Sequence, residues 1–343
     1  MELHFTRTNG TVDDMIDQLI LHAGDVGYPE YVREMILTAL KSGQESEDRI
    51  GLKIMNSTLK EMRFTTKVFS PYRQVKKVTV FGSARTRAEE PIYRMAQEFG
   101  KRLAEAGYMV ITGGGPGIMQ AVNEGAGPEN SFGVNIRLPF EQQMNPVLVN
   151  NPRAITYKYF FNRKVAFLKE SDAVALFPGG FGTLDEAMET LTLVQTGKRA
   201  PLPLILIDEP GGTYWTRYLQ FLNEELLLNG YIDRTDLDLF ERSESPEEAV
   251  ERIRVFYSRY HSLRYVGEKL VIRLLTAPEK EAMEELSARF VDILVPHGSI
   301  SLSGALPPES DEPELAHLPR LVLDFDRKEF ARLRHLIDAI NRF

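Results

Sequence analysis

Between residues 76 and 262 short β-rich apolar runs alternate with helical periods, and three of the runs stop abruptly at glycine. Val78-Thr79-Val80-Phe81 ends in Gly82-Ser83-Ala84. Tyr108-Met109-Val110-Ile111 ends in Thr112-Gly113-Gly114-Gly115-Pro116-Gly117, and the run from Ala173 to Phe177 ends in Pro178-Gly179-Gly180. Two further runs, Phe132 to Ile136 and Leu202 to Ile207, have the same strand character. Helical patterns fall between them, from Ile92 to Ala106, through Met119 and Val122, from Tyr159 to Lys169 and from Leu184 to about Gln195. Two more follow, near Tyr214 to Leu227 and Pro246 to Tyr260. Strands spaced by helices and glycine turns dictate a doubly wound, Rossmann-like α/β fold with a parallel sheet. Ligands of such sheets sit at the carboxyl ends of the strands, where all three glycine loops fall.

The flanks have a different texture. Residues 1–75 read as helical, with apolar periods over Val12 to Leu21, Tyr31 to Leu40 and Leu52 to Val68, closed by Pro71. Residues 263–343 read as a small α+β unit. Strands are expected at Leu270 to Leu275, Ser299 to Leu302 and Leu321 to Phe325, and helices at Glu279 to Phe290 and Phe330 to Ile340. The order resembles part of a ferredoxin-like unit. The expected division is therefore 1–75, 76–262 and 263–343, in a chain whose 343 residues suit two or three domains.

The loop Pro178-Gly179-Gly180-Phe181-Gly182-Thr183-Leu184-Asp185-Glu186 carries the chemistry. Its glycines let backbone N–H groups approach a ligand closely. A helix starting against that loop offers free amides and the positive end of its dipole, an anion site suited to phosphate. Thr183 is expected as the N-cap, with Thr183 to Glu186 matching a capping box. That pattern also has a purely structural reading, since acids in a first turn are ordinary partners of the dipole. Glu189 lies one turn beyond Glu186 on the same face and is read as a second carboxylate or a solvated position.

Other chemistries are excluded on composition and spacing. The net charge of −8 argues against a broad nucleic-acid surface. The absence of cysteine removes thiolate catalysis and thiolate metal sites. All six histidines lie outside Lys76 to Tyr260, so a Ser-His-Asp triad or histidine metal site is not available there. Gly117 comes one residue early for G-x-G-x-x-G, and Thr196-Gly197-Lys198-Arg199 lacks the glycine spacing and final hydroxyl of a Walker loop. No cofactor and no metal are expected. An N-terminus without a basic-plus-apolar leader, and no membrane-length run, lead to the expectation of a cytoplasmic protein without membrane contact.

Gly113-Gly114-Gly115-Pro116-Gly117-Ile118-Met119, then Arg163-Lys164, then Pro178 to Glu186 resemble the Lonely Guy (LOG) family, many of whose members once carried the label lysine decarboxylase. The contexts Asn135 to Gln142 and Phe160 to Lys164 look like its longer bacterial branch. The resemblance covers roughly residues 76 to 260. It implies hydrolysis of the N-glycosidic bond of a nucleoside 5′-monophosphate to free base and ribose 5-phosphate. It also implies Arg163 and Glu186 as the catalytic pair, and Gly179, Gly180, Gly182 and Thr183 as the phosphate cradle. Gly82, Ser83, Gly114, Gly115, Lys164 and Glu189 are the further expected nucleotide contacts. A homodimer or higher homo-oligomer is implied as well. Many plant-type members carry Met-His just ahead of the Arg-Lys pair, where this chain has Phe160-Phe161, so cytokinin activation is not carried over. Two other readings stand beside the hydrolase: a nucleotide-binding sensor that does not cleave, and a pyridoxal-phosphate lysine decarboxylase, for which no Schiff-base lysine pattern is present.

Overall fold

The computed structural model describes residues 8–138 and 143–343. Residues 1–7, with His4, and the stretch from Pro139 to Gln142 used in the family comparison lie outside the described residues. The chain forms two compact units, Met1–Phe64 and Thr65–Phe343.

The first unit is helical: α1 (Thr11–Ala23), α2 (Pro29–Glu45) and most of α3 (Arg49–Phe69). Proline at the first position of α2 gives up an amide that has no intrahelical partner there. The Asp48 carboxylate accepts from the N–H groups of Ile50 and Gly51 at 2.8 and 3.0 Å, which starts α3. Asp13 of α1 and Arg33 of α2 are both buried and form an ion pair, joining the two helices beside Ile16 and Leu37.

The second unit contains a seven-stranded parallel sheet in the order β4-β3-β2-β1-β5-β6-β7. Its strands are β1 (Lys77–Phe81), β2 (Met109–Thr112), β3 (Ser131–Ile136), β4 (Ala154–Tyr157), β5 (Ala173–Leu176), β6 (Leu204–Ile207) and β7 (Glu241–Ser243). The helices are α4 (Pro91–Glu105), α5 (Ile118–Ala126), α6 (Phe160–Lys169), α7 (Phe181–Gln195), α8 (Tyr214–Phe221) and α9 (Pro246–Phe256). Strands buried on both faces must be apolar throughout, as β5 and β6 are. Val78, Val80, Ala173, Ala175, Ile205 and Ile207 pack against α4, α5 and α9. Phe81, Val174, Leu176, Leu204 and Leu206 face the other way, against α6, α7 and α8. The doubly wound expectation therefore holds.

Beyond it lies a four-stranded antiparallel sheet, β10-β11-β9-β8, formed by β8 (Tyr260–Val266), β9 (Lys269–Leu274), β10 (Ile300–Ser303) and β11 (Arg320–Leu323). It is covered by α10 (Lys280–Arg289) and α11 (Phe330–Ile340). Three strands differ from the sequence reading: β4, β7 and β8 were not expected. All three are edge strands paired on one side only, so their sequences need no continuous apolar run. Helix α9 stops at Phe256 rather than at the expected Tyr260, where β8 begins; Gly267, at φ +59°, turns β8 back on β9.

Candidate active site

β1 pairs with β2 on one side and β5 on the other, and chain order runs outward in both directions from that junction. The crevice above the carboxyl ends of β1 and β5 is therefore the switch point of the sheet. The two loops there are welded together. The Ser83 N–H donates to the Pro178 carbonyl at 3.0 Å, and the Ile118 N–H donates to the Ser83 carbonyl at 3.0 Å. A side chain on Gly82 would meet Ile118 at 2.6 Å, so only glycine fits. Between the loops opens a cavity of about 740 Å³, bordered by Gly82, Ser83, Arg163, Glu186 and the segment from Gly179 to Asp185.

Helix α7 starts earlier than its sequence suggests. Phe181 is its first residue, the N-cap is Gly180 in extended backbone, and no side chain caps it. The capping role expected for Thr183 is thus corrected: both the Thr183 and Leu184 N–H groups already turn back to the Gly180 carbonyl. Proline and glycine at 178–180 let the chain turn into the helix without a side-chain cap. Thr183 is instead buried, its hydroxyl packed against Gly179 so closely that any Cβ on Gly179 would overlap it. The shift leaves Phe181 and Gly182, whose first-turn N–H groups have no intrahelical partner, on the border of the cavity.

Glu186 falls on the buried stripe of α7 with Thr183, Ala187, Thr190 and Val194. It is 6% exposed, and its Oε2 has no hydrogen-bond partner among the described residues. Burial raises its carboxyl to about 7, with Lys164 and Arg163 opposing and Glu189 and Asp185 assisting the rise. The Lys164 Nζ lies 3.8 Å from its Oε1 but is closer to Asp185, at 2.8 Å, and Glu189, at 2.6 Å. Lys164 and Glu189 therefore neutralise one another behind the cavity and do not border it. Lys164 is held above its ordinary value by these carboxylates, which outweigh its own desolvation.

Arg163 does border the cavity. Its Nε donates to the Val134 carbonyl at 2.9 Å, and its guanidinium lies over the Phe167 ring at 4.9 Å. Burial pulls it below its ordinary value, while the nearby Glu186 charge works in the other direction. The β2 loop supports it from behind: a Cβ on Gly113 would come within 2.5 Å of the guanidinium. Gly114 and Gly115 are buried and do not border the cavity. Their carbonyls accept from the Asn145 backbone and side chain at 2.8 and 3.1 Å, within a network that includes Thr112 and Asn123. Of the expected residues, the structure thus brings together Gly82, Ser83, Arg163, Gly179, Gly180, Gly182, Thr183 and Glu186.

Sequence reasoning missed Tyr214 and Arg85, which border the same cavity. The Tyr214 hydroxyl donates to the Gly179 carbonyl at 2.6 Å, and its ring packs edge-on against the buried Trp215. The signal was available, because Gly211-Gly212 after β6 is one more glycine turn at a strand end. A glycine loop at a helix start, a fixed cation and a buried carboxyl raised to about 7 suit acid–base work.

The family model described as "Possible lysine decarboxylase" matches residues 109–253. A probable cytokinin riboside 5′-monophosphate phosphoribohydrolase of Oryza sativa subsp. japonica is 26% identical over 217 residues, covering 62% of this chain and 81% of the relative. A cytokinin riboside 5′-monophosphate phosphoribohydrolase of Arabidopsis thaliana is 26% identical over 171 residues, covering 49% of this chain and 78% of the relative. Among solved structures, the molybdenum cofactor binding protein of the phototrophic bacterium Rippkaea orientalis aligns at TM-score 0.38 and 21% identity, over 52% of this chain and 94% of its own. With its glycine signature, Arg163 and Glu186 placed around one crevice, and with the family model and the two phosphoribohydrolases matching the same region, the chain is similar to the Lonely Guy (LOG) family over its parallel-sheet region.

Proposed function

We propose that this chain hydrolyses the N-glycosidic bond of a nucleoside 5′-monophosphate, AMP-like in form, to free base and ribose 5-phosphate. The observation that carries the reading is Glu186: a buried carboxyl with an unpartnered oxygen, raised to about 7, beside a helix N-terminus free to hold phosphate. The names of the relatives support the same reaction class.

In this reading the phosphate rests on the first-turn amides of α7, which fixes the ribose across the crevice. Cleavage of the bond between C1′ and the base nitrogen passes through an oxocarbenium-like sugar. Ionised Glu186 lies where it can stabilise that charge and take a proton from the attacking water. The hydroxyl adds to C1′ and the base leaves with the bonding pair and a proton, so atoms and charge balance. A carboxyl near 7 can both receive and return that proton close to neutral pH. Arg163, held by Val134 and Phe167, supplies a fixed positive charge to the anionic substrate. Phe160 borders the cavity at a position where plant-type members differ, and we assign no cytokinin preference.

Incubation with AMP, GMP, CMP and UMP, with assay of ribose 5-phosphate and free base, tests the proposal beside Glu186→Gln. Release that disappears in the variant supports it. No release, with AMP still bound in calorimetry, replaces it with a non-catalytic nucleotide sensor.

A further inference from the structure

The cavity is bordered by two cations, Arg85 and Arg163, and two carboxylates, Asp185 and Glu186. The cations are held very differently. Arg163 is fixed by the Val134 carbonyl, the Phe167 ring and the close approach of Gly113. It has no freedom to follow a ligand. Arg85 is exposed, and its guanidinium has no carboxylate or carbonyl partner among the described residues. Its backbone, by contrast, is anchored. The Arg85 N–H donates to the Ser83 hydroxyl at 3.0 Å, and Ser83 is itself bonded to Pro178 and Ile118. The result is an exposed guanidinium without an ionic partner among the described residues, carried on an anchored backbone at the border of the cavity.

A free guanidinium has a reason to be there. Asp185 is already paired with Lys164 at 2.8 Å. A phosphate dianion entering the cavity meets the start of α7 and the fixed charge of Arg163, which is held by the Val134 carbonyl and the Phe167 ring and cannot move to close on it. A guanidinium on a long flexible stem can close on phosphate oxygens in a bidentate, charge-assisted contact. We propose that Arg85 is the residue by which this chain distinguishes a phosphorylated nucleoside from an unphosphorylated one, closing on the 5′-phosphate seated at the N-terminus of α7. The proposal deepens the hydrolase reading and rests on it for the identity of the substrate.

The test compares AMP with adenosine for the wild type, Arg85→Ala, Arg85→Lys and Arg87→Ala. Arg87 is exposed on the same loop and does not border the cavity, so it reports the loss of a nearby surface charge. In Arg85→Ala, KM for AMP rises by ~10- to 100-fold with kcat nearly unchanged, the signature of binding lost equally from ground and transition states. Adenosine turnover does not change, Arg85→Lys falls between, and Arg87→Ala behaves as wild type. An unchanged KM for AMP in Arg85→Ala, or an equal loss for AMP and adenosine, overturns the assignment. Calorimetry with ribose 5-phosphate on Glu186→Gln, with and without Arg85→Ala, separates the two readings. If the wild type cleaves nothing yet Arg85→Ala weakens ribose 5-phosphate binding, the hydrolase reading fails and the Arg85 assignment stands.

Discussion

Glu186 occupies a place on α7 where the buried stripe would otherwise take an apolar or hydroxyl side chain. A carboxylate there costs stability, and the cost has a pH dependence. Its folded value, about 7, lies above the ordinary 4.5, so the folded state holds the proton more tightly than the unfolded chain. Stability is therefore unaffected below 4.5 and falls as pH rises through the window up to about 7. Glu186→Gln keeps the shape and removes the titration. Its melting temperature is expected to match the wild type near about pH 4.5 and to exceed it increasingly by about pH 8, with a ceiling of about 3 kcal/mol. The same variant should lower kcat by ~100- to 10,000-fold and abolish the kinetic inflection near neutrality, read from a pH–rate profile. Tyr214 acts differently, donating its hydroxyl to the Gly179 carbonyl beside the proposed phosphate site. Tyr214→Phe keeps the packing on Trp215 and should raise KM by roughly fivefold with kcat little changed, as expected for loss of one hydrogen bond of about 1 kcal/mol.

At the scale of the element, the start of α7 decides whether an anion site exists. The glycines of its loop are not equivalent. A methyl group on Gly179 would collide with the Thr183 hydroxyl, whereas positions 180 and 182 have open space around them. Gly179→Ala is expected to lose about 1–3 kcal/mol in urea unfolding together with activity. Gly182→Ala should keep its unfolding midpoint and lose affinity for ribose 5-phosphate, because its methyl group projects where no protein atom stands. Similar melting of both variants would contradict this account. The sequence marked the loop and the helix but misplaced their junction. The T-x-x-E pattern is a good capping box in isolation, and only the turn of Pro178 to Gly180 over β1 pulls the first helical residue back to Phe181. The same limit explains the three unexpected strands. An edge strand takes its hydrogen bonds from a partner distant in sequence, and its own composition does not announce that partner.

For the whole Thr65–Phe343 unit, α11 joins the two sheets. Ala331 enters the core of the parallel sheet, while Leu333, Leu336 and Ile337 fill that of the antiparallel one. The Arg334 guanidinium is 3% exposed and reaches the Leu202 carbonyl at 3.2 Å, Glu241 at 2.8 Å and Asp338 at 2.9 Å. Removing it strands a carboxylate in a poorly solvated place, since burial already raises Asp338. Arg334→Ala should cost ~2–3 kcal/mol, and the two sheets should still unfold in one transition monitored by Trp215 fluorescence and far-ultraviolet dichroism. Separate transitions would show that α11 does not couple them. Among the described residues no helix is long and apolar enough to cross a membrane. The doubly wound class and the strand-end glycines could be read from residue order, because hydrophobic period and glycine freedom are local properties, whereas the pairing of Arg163 with Glu186 was implied only by the family resemblance. Arg163 and Glu186 stand far apart in the chain, however, and nothing local places them at one crevice. Sheet order put them there, and burial by that arrangement raised Glu186 toward neutrality. The same packing gave Gly114 and Gly115 to Asn145, and it left Arg85 free while Arg163 was fixed. Desolvation and hydrogen-bond partners belong to the folded surroundings of a residue, and so these features could be decided only by the tertiary structure.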